Sequence, residues 1–149
     1  MTIGYIITIS IICGIVALLC FLHWLFSAMR KKLKNYIQRN FSEAEIVKLS
    51  TNVNFFGELS KGGRQIRGNG ALVLTSSILT FIRAVPFKVY TIPTKSITQV
   101  SMPTSFNGKS ILSPVLCIHY HINNKEDAIA WAIKDPQQWQ EAIDNLITE

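Results

Sequence analysis

Hydrophobic and polar positions change period three times along this chain. From Tyr5 to Met29, YIITISIICGIVALLCFLHWLFSAM, the 25 residues include no Asp, Glu, Lys or Arg. As a helix rising about 1.5 Å per residue the run would extend roughly 37 Å. A bilayer core is about 30 Å thick, so this length crosses it with some tilt. Beyond it, Leu33, Tyr36, Ile37 and Phe41 recur at helical spacing. That predicts a helix continuing to about Arg39, with its apolar edge resting either in the headgroup region or on the following domain. In FSEAEI, Ser42 and Glu45 have capping-box spacing, and Phe41 and Ile46 are placed as a hydrophobic staple. A short helical turn is the expectation there; the competing pattern is a strand already begun over Glu45 to Thr51.

From Val53 onward the period falls to two. Short apolar runs alternate with turn residues: Ala71–Thr75, Ile78–Ala84, Phe87–Ile92, Ser96–Met102, Pro114–Ile122 and Ala128–Ile133. Regularly spaced short strands predict an antiparallel sandwich or small barrel. Alternation sets Leu116, Ile118, Tyr120 and Ile122 on one face, with Cys117, His119 and His121 on the other. Likewise Ile129, Trp131 and Ile133 oppose Ala128, Ala130 and Ala132. One face of each strand enters a core; the other meets solvent or a partner. The helical period then returns in DPQQWQEAIDNLITE. Asp135 is placed as N-cap and Pro136 at the first helical position. Trp139, Ala142, Ile143, Leu146 and Ile147 form one stripe of this amphipathic helix. Trp131, Trp139 and Ile143 are the expected core and cap residues. The pattern divides the chain into a transmembrane anchor (1–29), a basic juxtamembrane helix or linker (30–44) and a strand-rich domain (45–149).

Charge sharpens this division. The formal net charge is +6, and Arg30, Lys31, Lys32, Lys34 and Arg39 supply five of it before the first acid, Glu43. From Phe41 on, ten cations face nine acids. The basicity therefore points to an anionic membrane surface beside Arg30, Lys31, Lys32 and Lys34 rather than to nucleic acid. No basic side chain precedes the apolar run, which is also too long for a cleaved signal peptide. The positive-inside rule then predicts a single-pass protein of the cell membrane, N-terminus outside and C-terminal domain cytoplasmic. Three scattered cysteines, Cys13, Cys20 and Cys117, fit a reducing compartment.

One stretch of the domain resembles a known family. RGNGALVLTSSILTF is similar to the G-x-L-x-L-T-x-x-x-L-x-F signature of the GRAM and bacterial pleckstrin-homology-like (PH-like) families, through Gly70, Leu72, Leu74, Thr75, Leu79 and Phe81. IPTKSITQV resembles their I-P-x-x-x-I-x-x-V, through Ile92, Pro93, Ile97 and Val100. Trp139 looks like the tryptophan that such domains place on their final helix. The resemblance covers roughly Glu45 to Ile147. It implies a partly open barrel of about seven antiparallel strands, capped by the C-terminal amphipathic helix. It further implies a non-enzymatic adaptor that binds lipid headgroups, peptides or proteins. Lys61, Arg64 and Arg67 are similar in placement to the first-hairpin cations with which many PH domains read phosphoinositides.

The same loop, KGGRQIRGNG, tests other chemistries. Gly63 to Gly68 gives GxxxxG, but Asn69-Gly70 stands where a P-loop needs Lys-Ser/Thr, and a strand pattern follows instead of a helix. A nucleotide loop is excluded on both counts. Two readings stay open. In one, this is a long hairpin loop whose glycines adopt positive φ and whose cations are solvated. In the other, Lys61, Arg64, Arg67 and Lys88 meet an anionic headgroup or partner. No Asp or Glu occurs from Leu59 to Lys125, a window holding eight cations, while acids gather after it. Such separation suggests a domain that is basic at its loop end and acidic at its helix.

His119 and His121 share a strand face, yet no third ligand has suitable spacing, so a solvated face outweighs a metal site. His23 beside Trp24 reads as an interfacial residue. No G-x-S-x-G, H-E-x-x-H or paired carboxylates suggest catalysis, and no residue pattern implies a cofactor. Small-xxx-small pairs at Ser10/Gly14 and Cys13/Ala17 offer a surface for helix pairing, so a homo-oligomer or another protein partner stays open beside the membrane.

Overall fold

The computed structural model describes residues 2–110 and 112–148. Helix α1 (Thr2–Asn40) runs unbroken through the apolar segment and the basic one that follows. No residue in its most apolar stretch is buried against the rest of the chain, and it is long and apolar enough to cross a membrane. Side chains such as Ile9, Leu19 and Trp24 stay more than half exposed. In water that would be a large unpartnered apolar surface.

After α1, a single 3₁₀ turn (Glu43–Glu45) leads directly into strand β1 (Ile46–Glu58). The Ser42 N–H donates to the Glu45 carboxylate at 3.4 Å. Both sequence patterns for this stretch are thus realised, the turn briefly and the strand at once. The remaining strands are β2 (Gly68–Thr75), β3 (Ile78–Arg83), β4 (Lys88–Pro93), β5 (Ile97–Ser101), β6 (Ser105–Phe106), β7 (Lys109–Ser110), β8 (Leu116–Ile122) and β9 (Lys125–Ala132). Helix α2 (Pro136–Thr148) ends the domain. Seven strands form one antiparallel sheet in the order β4-β3-β2-β1-β9-β8-β5, while β6 and β7 make a separate small hairpin. The sheet is not closed. Its edge strands β4 and β5 are joined through the turn Thr94–Ser96 and by no ladder. A seven-strand antiparallel sheet with a C-terminal helix is the architecture that the resemblance implied.

β1 makes this sheet wrap. Its first half pairs only with β2, and from Asn54 it also pairs with β9. Register shifts at Ser50/Val53 and Phe55/Gly57 bend it between its two neighbours, as bulges do. The β8–β9 hairpin is longer than the apolar pattern indicated, because Lys125–Asp127 continue the ladder opposite Ile122, His121 and Tyr120. Asn123 and Asn124 make the two-residue turn at φ 52° and 58°, a conformation asparagine tolerates.

The wrapped sheet encloses a core of Phe55, Leu72, Leu74, Phe81, Ile118 and Trp131, among others. Trp139 and Ile143 of α2 close its open side and are themselves buried. Phe55 stacks on Phe81 at 5.6 Å and on Tyr90 at 5.3 Å between ring centroids. Gly70 leaves no room for a side chain on β2: a Cβ there would fall on the Ile82 carbonyl oxygen and the Phe81 ring.

Two apolar clusters lie on the outside of the sheet. Phe56, Phe106, Val115, Cys117, Ala128 and Ala130 form one. The face of Cys117 and the alanines, expected to meet solvent or a partner, is covered here by the chain's own β6–β7 region. The other joins Leu33 and Ile37 of α1 to Ala71, Val73 and Ile82 of β2 and β3. The apolar edge of the basic part of α1 therefore rests on the domain.

Candidate anion-binding surface

Two connections meet at one end of the β1–β4 half: the loop 59–67 between β1 and β2, and the turn 84–87 between β3 and β4. The longer loop is held by side chains reaching its backbone carbonyls. Gln65 Nε2 donates to Glu58 O at 2.6 Å and to Gly62 O at 2.7 Å. Asn107 Nδ2 donates to Glu58 O at 2.8 Å, and Lys109 Nζ to Gln65 O at 2.6 Å. Arg83 Nη2 donates to Ile66 O at 3.1 Å, while its Nε reaches Val85 O at 3.1 Å. These bonds satisfy carbonyls that a long loop otherwise leaves to water. Within the loop only Gly62 takes positive φ, at 66°. The glycine-rich stretch is thus an organised loop rather than a run of left-handed turns. Gln65, Arg83, Asn107 and Lys109 were not singled out as a set by the sequence; three lie outside the loop, and only folding brings them to it.

The structure divides the four candidate cations. Lys61 and Lys88 converge on Tyr90, with their Nζ atoms 5.9 Å and 4.5 Å from its ring centroid. Arg67 lies on the other side of the sheet, its guanidinium 4.3 Å from the centroid of Phe56. Arg64 is exposed near the tip. Lys61 forms a salt bridge with Glu58, the only salt bridge found among the described residues. That hydrogen bond raises the Lys61 ammonium above its usual pKa, against a smaller desolvation effect. The Glu58 carboxylate offsets the charge of Lys61, whereas Arg64, Arg67 and Lys88 have no salt-bridge partner among the described residues. Arg30, Lys31, Lys32 and Lys34 are exposed along α1, and Lys32 Nζ lies 4.4 Å from the Phe87 ring centroid in the turn. Tyr36 meets the same ring edge-on at 5.5 Å.

The acid-free window in sequence is not an acid-free surface. Besides Glu58, Asp127 reaches the loop from β9: its Oδ2 accepts from the Ser60 hydroxyl at 2.6 Å and its Oδ1 from the Ser60 N–H at 2.9 Å. Burial pushes the Asp127 carboxyl up, but the bonds from Ser60 and the Ala128 N–H outweigh it and hold the carboxyl below its usual value. Across from it, burial and the charges of Asp127 and Glu58 push the Tyr120 phenol up to about 12. Both acids anchor the base of the loop, leaving its outer rim basic.

His119 Nε2 stands 3.3 Å from Ser101 Oγ and 3.6 Å from Cys117 Sγ. Burial pushes the Cys117 thiol up, away from the reactive thiolate. Among the described residues no three His, Cys, Asp or Glu side chains are grouped to hold a metal ion.

The register of α1 on the sheet orients this surface. Phe26 and Met29 share a groove with Asn69, Gly70 and Ala84. Further along, Leu33 and Ile37 pack on Ala71, Val73 and Ile82, with Phe41 and Ile46 beside them. β2 and α1 therefore run in the same sense, and the apolar part of α1 leaves the domain at the end carrying loop 59–67 and turn 84–87.

No protein-family model matches the chain, and no curated protein matches it in sequence. Among solved structures, it is similar to the C-terminal domain of an unknown protein from Leishmania infantum, with a TM-score of 0.52 and 12% identity over 70% of this chain and 84% of that one. A chain of the 8S snRNP assembly intermediate gives a TM-score of 0.56 and 10% identity, over 72% of this chain and 85% of that one. The Vps36 N-terminal PH domain gives 0.47 and 18% identity, over 70% and 82%. The first two likenesses concern the fold alone.

Proposed function

We propose that this protein is a single-pass, membrane-anchored binding module of the PH-like kind, nearest the GRAM and bacterial PH-like families in the motif around Gly70 and Leu72. In this reading α1 crosses the cell membrane with its N-terminal end outside, and the domain sits on the cytoplasmic surface beside Arg30, Lys31, Lys32 and Lys34. The module engages anionic phospholipid headgroups through Arg64, Arg67 and Lys88, with Lys61 as the paired, weaker contributor. It is a binder rather than an enzyme. The observation that carries the reading is the packing register of α1, which turns the basic loop end towards the side from which the apolar helix emerges.

Residues 30–149, which retain Leu33 and Ile37 over the outer sheet face, provide the test by sedimentation with anionic and zwitterionic vesicles. Each cation near an anionic surface contributes about 1 kcal/mol, so reversing Arg64, Arg67 and Lys88 to Glu weakens anionic-vesicle binding by at least about 100-fold. Equal sedimentation with both vesicle types, or no loss in the triple variant, would overturn headgroup binding.

A second reading, a non-catalytic structural subunit of a membrane assembly, draws support from one feature. An apolar groove of about 390 Å³ lies between α1 and the first half of β1, lined by Ile37, Phe41, Ile46 and Leu49. β1 has no β9 partner there, and Val47 and Leu49 remain exposed. In-cell crosslinking from Val47 is its test, and recovery of the monomer alone would count against it.

A further inference from the structure

We infer that the domain dips an aliphatic wedge, Ile66 with Val85, into the interfacial layer of the bilayer that its own helix crosses. The inference rests on the membrane-anchor reading above and adds a second, apolar contact to it.

Ile66 is 77% exposed and Val85 56% exposed. Single exposed aliphatics are ordinary on protein surfaces. These two belong to different connections, yet one buried guanidinium holds both: Arg83 donates to the Ile66 carbonyl and to the Val85 carbonyl, each at 3.1 Å. The pair is thus a fixed feature, not two chance side chains on loose loops. Phe87, 39% exposed, follows Val85 in the same turn and is held against Tyr36 and Lys32 of α1.

The direction of the wedge follows from α1. The acid- and base-free run ends at Met29, and Met29 faces the groove that also holds Asn69, Gly70 and Ala84. Ile66 lies four residues beyond Gly70 on the side of the emerging helix. An extended backbone advances about 3.3 Å per residue, so Ile66 reaches up to about 13 Å past that level. That overlaps the last turns of the apolar helix. Arg64, Arg67 and Lys88 flank the wedge in sequence, as cations flank apolar side chains that sit at a headgroup boundary. With no flexible linker between Met29 and the docked Leu33, the domain has no way to lift the wedge off without undocking α1. The occupant of this surface is therefore phospholipid, reached in cis.

The full chain carrying Cys13→Ala and Cys20→Ala, reconstituted in phosphatidylcholine nanodiscs, gives the test. A polarity-sensitive fluorophore is attached at Ile66→Cys, at Val85→Cys, at Leu18→Cys in the span or at Lys95→Cys at the far β4–β5 turn. Spin-labelled lipids then quench by depth. Blue-shifted emission and quenching by shallow labels at positions 66 and 85, with neither at 95, is the expected result. Quenching at 18 without quenching at 66 or 85 overturns the wedge and leaves the anchor standing. No quenching at 18 overturns the anchor, and the wedge with it. Because neutral lipid is used, loss of headgroup binding in the vesicle test leaves this readout unaffected.

Discussion

Replacing Leu33 and Ile37 together with alanine removes the two α1 side chains that are buried against the outer face of β2 and β3. Each is only 6% exposed, and they stand one helical turn apart over Ala71, Val73 and Ile82. Burying one such aliphatic side chain contributes about 1.5–3 kcal/mol, so the pair supplies about 3–6 kcal/mol to docking. Little of this is offset by ordering the helix, because α1 is already propagated from its apolar part and pays no new nucleation. Trp131 and Trp139, both in the core, report unfolding of the full chain in detergent as urea is raised. With a slope of about 2 kcal/mol per molar, typical of a small domain, the double variant unfolds about 1.5–3 M earlier. Lys34→Ala, on the exposed side of the same helix, stays within about 0.5 kcal/mol of the parent. An unchanged midpoint in the double variant would refute the docking, and with it the orientation on which the functional reading depends.

Other variants test other parts of the structure. Trp139→Ala opens the side of the core that α2 closes and costs about 3–5 kcal/mol in the same urea assay; a loss under 1 kcal/mol would contradict its role as the cap. Gly70→Ala forces β2 away from the Ile82 carbonyl and lowers the melting temperature, whereas Gly4→Ala, with nothing near its added Cβ, leaves it unchanged. Thr80 is 2% exposed and its hydroxyl has no partner among the described residues, so Thr80→Val holds or raises stability by about 1 kcal/mol, and a clear loss would reveal a missing bond. The Asp127 carboxyl is held below its ordinary value of 3.8, so its contribution is present above that pH and is lost as pH falls through the lower folded value. Exchange at the Ser60 N–H should accelerate only in that acidic window, and an NMR titration midpoint for Asp127 above 3.8 would refute the assignment.

Local patterning determined much of this chain. The apolar run, the alternation at Leu116–Ile122 and the stripe through Trp139 and Ile143 each state which surface must leave water, and that requirement acts over a few neighbouring residues. The strand count, the closing helix and the buried tryptophans were legible for that reason. Sequence also located the cations, because charge needs no fold to be counted. It did not locate their partners. Glu58 lies just outside the acid-free window and Asp127 just after it, yet both reach the loop base once β1 pairs with β9. Arg83 looked like one more surface cation until the loop folded over it and gave it carbonyls to hold. Above all, periodicity showed that α1 has an apolar edge and left open whether lipid or protein covers it. Tertiary packing decided that, because Ala71, Val73 and Ile82 are small or flat enough on the outer sheet face to accept Leu33 and Ile37. That contact turns the basic loop and its two aliphatic neighbours towards the side from which the apolar part of α1 emerges. Direction is a relation between distant elements, and no local period encodes it.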